Sequence, residues 1–317
     1  MKYFSPRKKW LWDSWFVVNK DKYHVFYLQS KKFKNSERRH DYSSIGHAVS
    51  KDLKSWEEIG LALGKGEKDS WDDLALWTGS VIKKDGRWYM FYTGRGKKDR
   101  LVQKIGLAIS DDLVSWEKVD NFVLEVDGRY YQKDFGINNL GKIGAWRDPF
   151  VFRKGKKYYM TLSARARGKD KEYNGCIGLA VSEDLINWKI RKPIFSPGLY
   201  DEMEVNQVIY RGGFYYLFFG VAFDNLYSVE NSKRKSSKGL HCYYSKRLRG
   251  PYSPVNGNGV VVDGADKIYD IRLVKKGREY YGIGWLNRDD NGKFVGKLSS
   301  KFLISINKDR VIVEDGK

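Results

Sequence analysis

A phrase repeated five times constrains this chain more than any other feature. Each copy runs from a basic or glycine turn through aromatic residues into an apolar strand: KDKYHVFYLQ around Tyr23, KDGRWYMFYTG around Trp88, KGKKYYMTLSA around Tyr158, RGGFYYLFFG around Tyr215 and KGREYYGIGW around Tyr280. Ten residues before each aromatic stand Asp13, Thr78, Asp148, Val205 and Asp270, with Glu204 one step from the fourth. Repeats set around an axis bring equivalent positions together, so acids recurring at one point of the repeat converge on it. A site rich in carboxylates is the expected result.

The second half of each unit repeats as well. IGHAVSKDLKSW (Ile45–Trp56), IGLAISDDLVSW (Ile105–Trp116) and IGLAVSEDLINW (Ile177–Trp188) are near copies, LHCYYSKRLRGPY is a weaker fourth and GKLSSKFLISI a degenerate fifth. Short apolar and polar alternations bounded by Gly, Asp and Lys read as strands, and helical periodicity is scarce. Four strands repeated five times define an all-β fold, a five-bladed β-propeller of four-stranded antiparallel blades around a central channel. It is expected to fill residues 1–317 as a single catalytic domain. Trp56, Trp116 and Trp188 are expected to pack between blades, as large aromatic side chains do when buried.

Charge raises a different class of function. With 59 Lys and Arg against 39 Asp and Glu, the formal net charge is +20. The basic residues are spread over turns, with modest clusters at Lys31–Lys34, Lys97–Arg100 and Lys233–Lys238, and no nucleic-acid motif accompanies them. A solvated basic surface is the expectation, with no nucleic-acid partner. Cys176 and Cys242 lie in strand-like runs and read as buried free thiols, and the four histidines form no metal-ligand spacing. Neither metal nor cofactor is expected. No apolar segment of signal-peptide type follows the start, and no run reaches membrane-spanning length, so a full-length chain of this sequence is expected in the cytoplasm.

The innermost strands carry the candidate chemistry. Asp13 sits in WLWDSWFVV, Asp148 in WRDPFVF and Glu204 in YDEMEVNQVI. A lone acid at such a place is an ordinary turn or ion-pair residue; three at equivalent places form a catalytic cluster. Arg147 can lower a neighbouring carboxyl, donate a fork of hydrogen bonds to a ligand, or form a structural ion pair. Trp12, Trp15 and Trp77 flank the acids as an apolar platform or as core. Asp270 is a fourth acid, in the pocket, paired with Arg272, or simply closing the propeller. Arg95, Asp72, Asp73, Asp224 and Asn225 are rim candidates.

These residues resemble the five-bladed glycosidases and transglycosidases of the levansucrase and invertase superfamily, glycoside hydrolase families 68 and 32, and more distantly family 43. WDSW around Asp13 is similar to the motif that carries the nucleophile. WTGSV at Trp77–Val81 is similar to the segment that contacts fructose, which brings in Ser80. RDP at Arg147–Pro149 is similar to the motif of the transition-state stabiliser, and Glu204 to the acid/base residue. EVNQ departs from the Cys-Pro or Arg-Pro that usually follows that Glu, and Glu202 is the rival two residues earlier. The resemblance implies a retaining double displacement on sucrose or a fructan. Asp13 would attack the anomeric carbon. Glu204, its pKa raised by neighbouring acids and partial burial, would serve as acid and base, and Asp148 would accept bonds from ring hydroxyls. An inverting furanosidase like those of family 43 is the alternative, although there the Asp is usually followed by Pro. A non-catalytic propeller that binds a polyanion is the reading from another class, and channel acids would repel its ligand.

Overall fold

The structure, a computed structural model, describes residues 3–133, 145–168, 173–222 and 237–314. Five antiparallel sheets follow one another along the chain, within residues 9–63, 75–124, 146–195, 204–263 and 268–314. In the first three, four strands pair in chain order. The fourth sheet adds Val260–Asp263 beside Gly239–Ser245, and the fifth adds Phe294–Leu298 beside Glu279–Arg288. The fold is the five-bladed propeller, with a fifth strand in each of its last two blades.

Local chemistry explains the blade. Asp85 and Gly86 take positive φ of 48° and 84° and join Ala75–Lys84 to Arg87–Arg95, a two-residue hairpin that such residues favour because its twist matches the strands. The Asp-Leu turn is built alike three times. The hydroxyls of Ser50, Ser110 and Ser182 accept the N–H groups of Leu53, Leu113 and Leu185. Asp52, Asp112 and Asp184 each accept two further N–H groups. The leucines sit at φ of 62°, 70° and 74°, fully buried, so the turn both reverses the chain and plugs the core.

Blades are joined by side chains of the repeated phrase. Trp116 of the second blade meets Phe26 of the first edge-on at 5.6 Å, and Trp188 of the third meets Phe91 of the second at 5.4 Å. Trp56 packs on Phe16 of its own blade at 6.0 Å, against a core cluster that includes residues of the first, second and fifth blades. Trp10 of the first blade packs on Phe294 of the fifth at 5.1 Å, and Leu298 N–H donates to Phe4 O at 2.9 Å, closing the ring. Cys176 and Cys242 are buried free thiols. Among the described residues no helix is long and apolar enough to cross a membrane.

The first strands of the blades, Lys9–Asn19, Ala75–Lys84, Trp146–Lys154, Glu204–Arg211 and Ile268–Lys276, pack on one another around the axis. Every one of them slips register against its hairpin partner at the position ten residues before the aromatic: at Asp13, at Thr78, after Arg147, after Glu204 and after Tyr269. A bulge re-aims the side chain it carries, and here it does so in all five blades.

Turn stability gives a test. Asp52 is held down to about 2 by the Ser55 and Lys54 N–H groups it accepts. A depressed carboxyl contributes stability above its unfolded value, near 3.9, which is lost as pH falls through the folded value. Asp52→Ala is expected to lower unfolding free energy by about 1 kcal/mol at neutral pH, the usual size of a lost side-chain cap. Urea denaturation should show the deficit shrinking below about pH 3.

Candidate active site

The bulges link each blade to the one before it. Thr78 Oγ1 donates to Asp13 Oδ2 at 3.5 Å, and Asp148 N–H to Thr93 Oγ1 at 3.1 Å. Val205 N–H donates to Asp148 Oδ2 at 2.9 Å, Arg272 to Asn206 O at 2.9 Å, and Ser14 N–H to Asp270 Oδ2 at 2.5 Å. Five bonds thus close a circle. Their geometry requires left-handed backbone at Asp13 (φ 27°), Asp148 (56°), Val205 (48°) and Asp270 (43°). For a β-branched residue such as Val205 this is strained, at a cost of about 1–3 kcal/mol per position that packing around it must outweigh.

Above this circle lies a cavity of about 580 Å³ whose wall includes Trp12, Asp13, Trp77, Asp148, Glu202 and Glu204. Asp13 accepts Trp285 Nε1–H at 2.9 Å. Burial pushes its carboxyl up to about 7, with Asp148 and Glu204 adding to the effect and the Trp285 bond and Arg39 opposing it. Asp148 is fixed more firmly: one oxygen accepts both Val205 N–H and Ser163 Oγ–H, each at 2.9 Å, and Arg147 Nε stands 3.7 Å away.

Arg147 arrives from the third blade to bridge Glu202 and Glu204. One of its terminal nitrogens lies 2.9 Å from Glu202 Oε2 and 2.7 Å from Glu204 Oε1. The Tyr269 hydroxyl donates to the other oxygen of Glu204 at 2.5 Å. The expectation that Glu204 is raised is corrected here. Burial alone would raise it, but Arg147 and the Tyr269 bond outweigh burial and hold it below its ordinary value. The raised carboxyl is Glu202, pushed up to about 7 by burial against the pull of Arg147. Glu204 remains the more open, with 21% of its side chain exposed against 7% for Glu202.

Other expected site residues divide. Trp12, Trp77, Arg147 and Arg95 line the cavity, with the Arg95 guanidinium 4.4 Å above the Trp77 ring. Ser80 does not; its hydroxyl accepts Val151 N–H at 3.0 Å and ties the second blade to the third. Asp270 does not either. It sits beneath the wall, bonded to Ser14 and ion-paired with Arg272 at 2.5 Å, which makes it a support and not a sugar contact. Trp15 stacks on Phe26 in the core. Asp72 is taken by Tyr92 and Lys118, and Asp73 by Lys97, inside the second blade's loops. Asp224 and Asn225 lie outside the described residues.

The wall also holds residues that the sequence does not single out, among them Tyr269, Trp285, Arg39 and His40. Tyr269 and Trp285 belong to the fifth repeat, and comparing neighbours of the bulge across repeats would have found Tyr269. Arg39 and His40 stand on a short 3-10 helix, Ser36–Asp41, in the loop between the second and third strands of the first blade. Among the described residues no group of three or more His, Cys, Asp or Glu is placed to hold a metal ion.

Residues 3–205 match the family described as Glycosyl hydrolases family 32 N-terminal domain, and residues 163–277 match Levansucrase/Invertase. The extracellular sucrase of Zymomonas mobilis subsp. mobilis is 28% identical over 304 residues, covering 80% of this chain and 71% of the sucrase. A levansucrase of Bacillus amyloliquefaciens is 25% identical over 319 residues, covering 80% and 67%. Among solved structures, the inulosucrase of Halalkalicoccus jeotgali bound to kestose superposes with a TM-score of 0.83 at 25% identity, over 99% of this chain and 90% of that one. The levansucrase of Bacillus subtilis, at 22% identity and a TM-score of 0.78 over 99% and 88%, shares the fold.

The Trp285 bond favours the ionised form of Asp13, so removing it raises that carboxyl. A net hydrogen bond of about 1 kcal/mol corresponds to a little under one pH unit. Trp285→Phe is therefore expected to move the acid limb of kcat/KM against pH upward by about that much, because protonated Asp13 cannot act as an anion.

Proposed function

The chain belongs to glycosyl hydrolase family 32, and from that premise we propose that it opens the β-fructosyl bond of sucrose or a fructan with retained configuration. It is a fructosyl-acting glycoside hydrolase or transglycosidase. One observation carries the assignment of roles: Asp13, Asp148 and Glu204, from three blades, line one cavity closely enough that Asp148 and Glu204 both raise Asp13.

In this reading Asp13 attacks the anomeric carbon. Its carboxylate is poorly solvated, oriented by Trp285 and Thr78, and so reactive once ionised. Asp148 is held by a backbone N–H, a hydroxyl and Arg147, a grip that leaves it no freedom to swing toward carbon. It offers a fixed negative charge as positive charge builds on the ring, and accepts bonds from ring hydroxyls. Glu204 protonates the leaving oxygen and later deprotonates water or a sugar hydroxyl, which partitions the intermediate between hydrolysis and transfer. Trp12 and Trp77 form apolar wall on which a sugar ring can rest. In the unusual EVNQ run Val205, next to Glu204, lines the wall, as do Ala222 and Ala265.

Asp13→Ala and Asp148→Ala are each expected to lose several orders of magnitude in turnover while remaining folded, each tenfold being about 1.4 kcal/mol of barrier. Near wild-type activity in Asp13→Ala would refute the mechanism. Glu204→Gln should lower kcat/KM for sucrose far more than for an aryl fructoside, whose leaving group needs no proton in the first step. Early-time NMR of the released sugar, before mutarotation, should show retention; an inverted product would assign Asp13 the role of a base activating water.

A further inference from the structure

The basic half of the repeated phrase has no part in the cavity, and the fold gathers it on one face. The cavity lies at the starts of the first strands, near Asp13, Asp148 and Glu204, and under the loop in which Arg39 joins second strand to third. Strands of a blade alternate in direction, so the hairpins from first to second strand stand at the opposite end, as do the turns from third to fourth. The five hairpins, residues 20–22, 83–87, 153–157, 211–213 and 275–279, carry 13 Lys and Arg against 3 Asp and Glu. Packing of the first strands around the axis sets these hairpins in a ring.

The phrase's own aromatics hold the cations in place. Lys83 Nζ stands 4.8 Å over the Trp88 ring, and Arg153 Cζ 5.9 Å over Tyr158. Lys154 Nζ and Arg211 Cζ reach to the next blade, 4.8 Å over Tyr215 and 5.5 Å over Tyr280. Long basic stems cover apolar rings in this way while the charge stays near water. Acids take few of the charges: Lys84 pairs with Asp85, Arg87 with Asp111 and Lys157 with Glu183. Among the described residues Lys20, Lys22, Lys156, Lys275 and Arg278 are exposed and form no ion pair.

Apolar tips stand at the same end. Val18 precedes the first hairpin, Val114 and Ile186 lie on the outer turns of the second and third blades, and Tyr210 adjoins Arg211. All four are exposed, Tyr210 at 61%. The outer turns, residues 51–55, 111–115, 183–187, 246–250 and 308–309, hold 6 Lys and Arg against 6 Asp and Glu. The excess positive charge therefore belongs to the inner ring.

A cationic ring edged by apolar tips matches a surface that is anionic outside and apolar beneath. We propose that this face docks on an anionic lipid bilayer, with lipid phosphates against the hairpin cations and Val114, Ile186 and Tyr210 entering the headgroup layer. Nucleic acid offers the same phosphates and fits less well. Trp88, Tyr158 and Tyr215 are buried beneath the cations, which leaves no open ring of the phrase for a base to stack on. Docking by this face turns the cavity away from the bilayer and leaves its mouth open. The contact is peripheral and requires no spanning element.

Flotation of the full chain with vesicles of three parts phosphatidylcholine to one part phosphatidylglycerol tests the proposal. Binding is expected to these vesicles and not to pure phosphatidylcholine, and should weaken as salt is raised. Each Lys or Arg near an anionic surface is worth about fivefold in partitioning. Lys20→Gln, Lys156→Gln and Lys275→Gln combined should therefore weaken binding by about 100-fold. Lys32→Gln, Lys34→Gln and Lys98→Gln combined make the same change of net charge at the cavity end, and should leave binding nearly unchanged. Val114→Ser with Ile186→Ser should weaken vesicle binding by about tenfold and leave binding to duplex DNA as it was. All three variants should keep the parent kcat/KM on sucrose.

Equal losses from the two triple variants would reduce the effect to net charge and overturn the proposal. Failure to bind the anionic vesicles, or equal binding to neutral ones, would overturn it as well. Duplex DNA held more tightly than the vesicles at one ionic strength, with vesicle binding indifferent to Val114→Ser and Ile186→Ser, would assign the face to nucleic acid and overturn the bilayer.

Discussion

The circle of hydrogen bonds at the five bulges is the constraint on which the site depends. An innermost strand in regular register would alternate its side chains and leave the axial N–H groups to its hairpin partner. The inserted residue breaks that alternation, turns N–H groups toward the preceding blade, and aims Asp13 and Asp148 at the cavity. The same act does structural and chemical work. Val205 N–H both joins blade four to blade three and fixes the oxygen of Asp148. Left-handed backbone at four positions is the cost, and the buried blade interfaces around them outweigh it.

Once acids are gathered at an axis, charge becomes the controlling quantity. The surface of the chain is strongly basic, yet the axis is acidic, and the two scarcely offset each other because surface charges are solvated and screened. Inside, the acids compete for few cations. Arg147 serves Glu202, Glu204 and Asp148 together. The consequence is a site near its protonation boundary, with Asp13 and Glu202 both at about 7. Glu204 departs from both, since Arg147 and the Tyr269 bond outweigh burial and hold it below its ordinary value.

The sequence made the scaffold legible because the repeats carry it. The ten-residue interval from aromatic to acid is the distance from hairpin to bulge, so it located the axial positions in every blade before any geometry was known. It could not say which way a side chain turns at each bulge. Asp270 occupies the same point as Asp13 and Asp148 but is claimed by Arg272, two residues on in its own strand, and by Ser14 across the closure. Ser80 is likewise drawn to an N–H of the next blade. The protonation of Glu204 was misread for a related reason. Its sequence neighbours are acids, whereas Arg147 and Tyr269 come from 57 and 65 residues away and reverse the sign. Arg39 and His40 stand in a loop between strands, outside the repeated phrases, where repetition gives no guide.

Central to this account is the covalent role of Asp13. Glu204→Gln enzyme can still be loaded by an activated aryl fructoside, but it lacks the base that would release the sugar, so the intermediate should accumulate. Rapid acid quenching, proteolysis and mass spectrometry of that variant are expected to find one fructosyl unit on the peptide carrying Asp13. A fructosyl unit on another residue, or none under conditions where the aryl group is released in a burst, would contradict it.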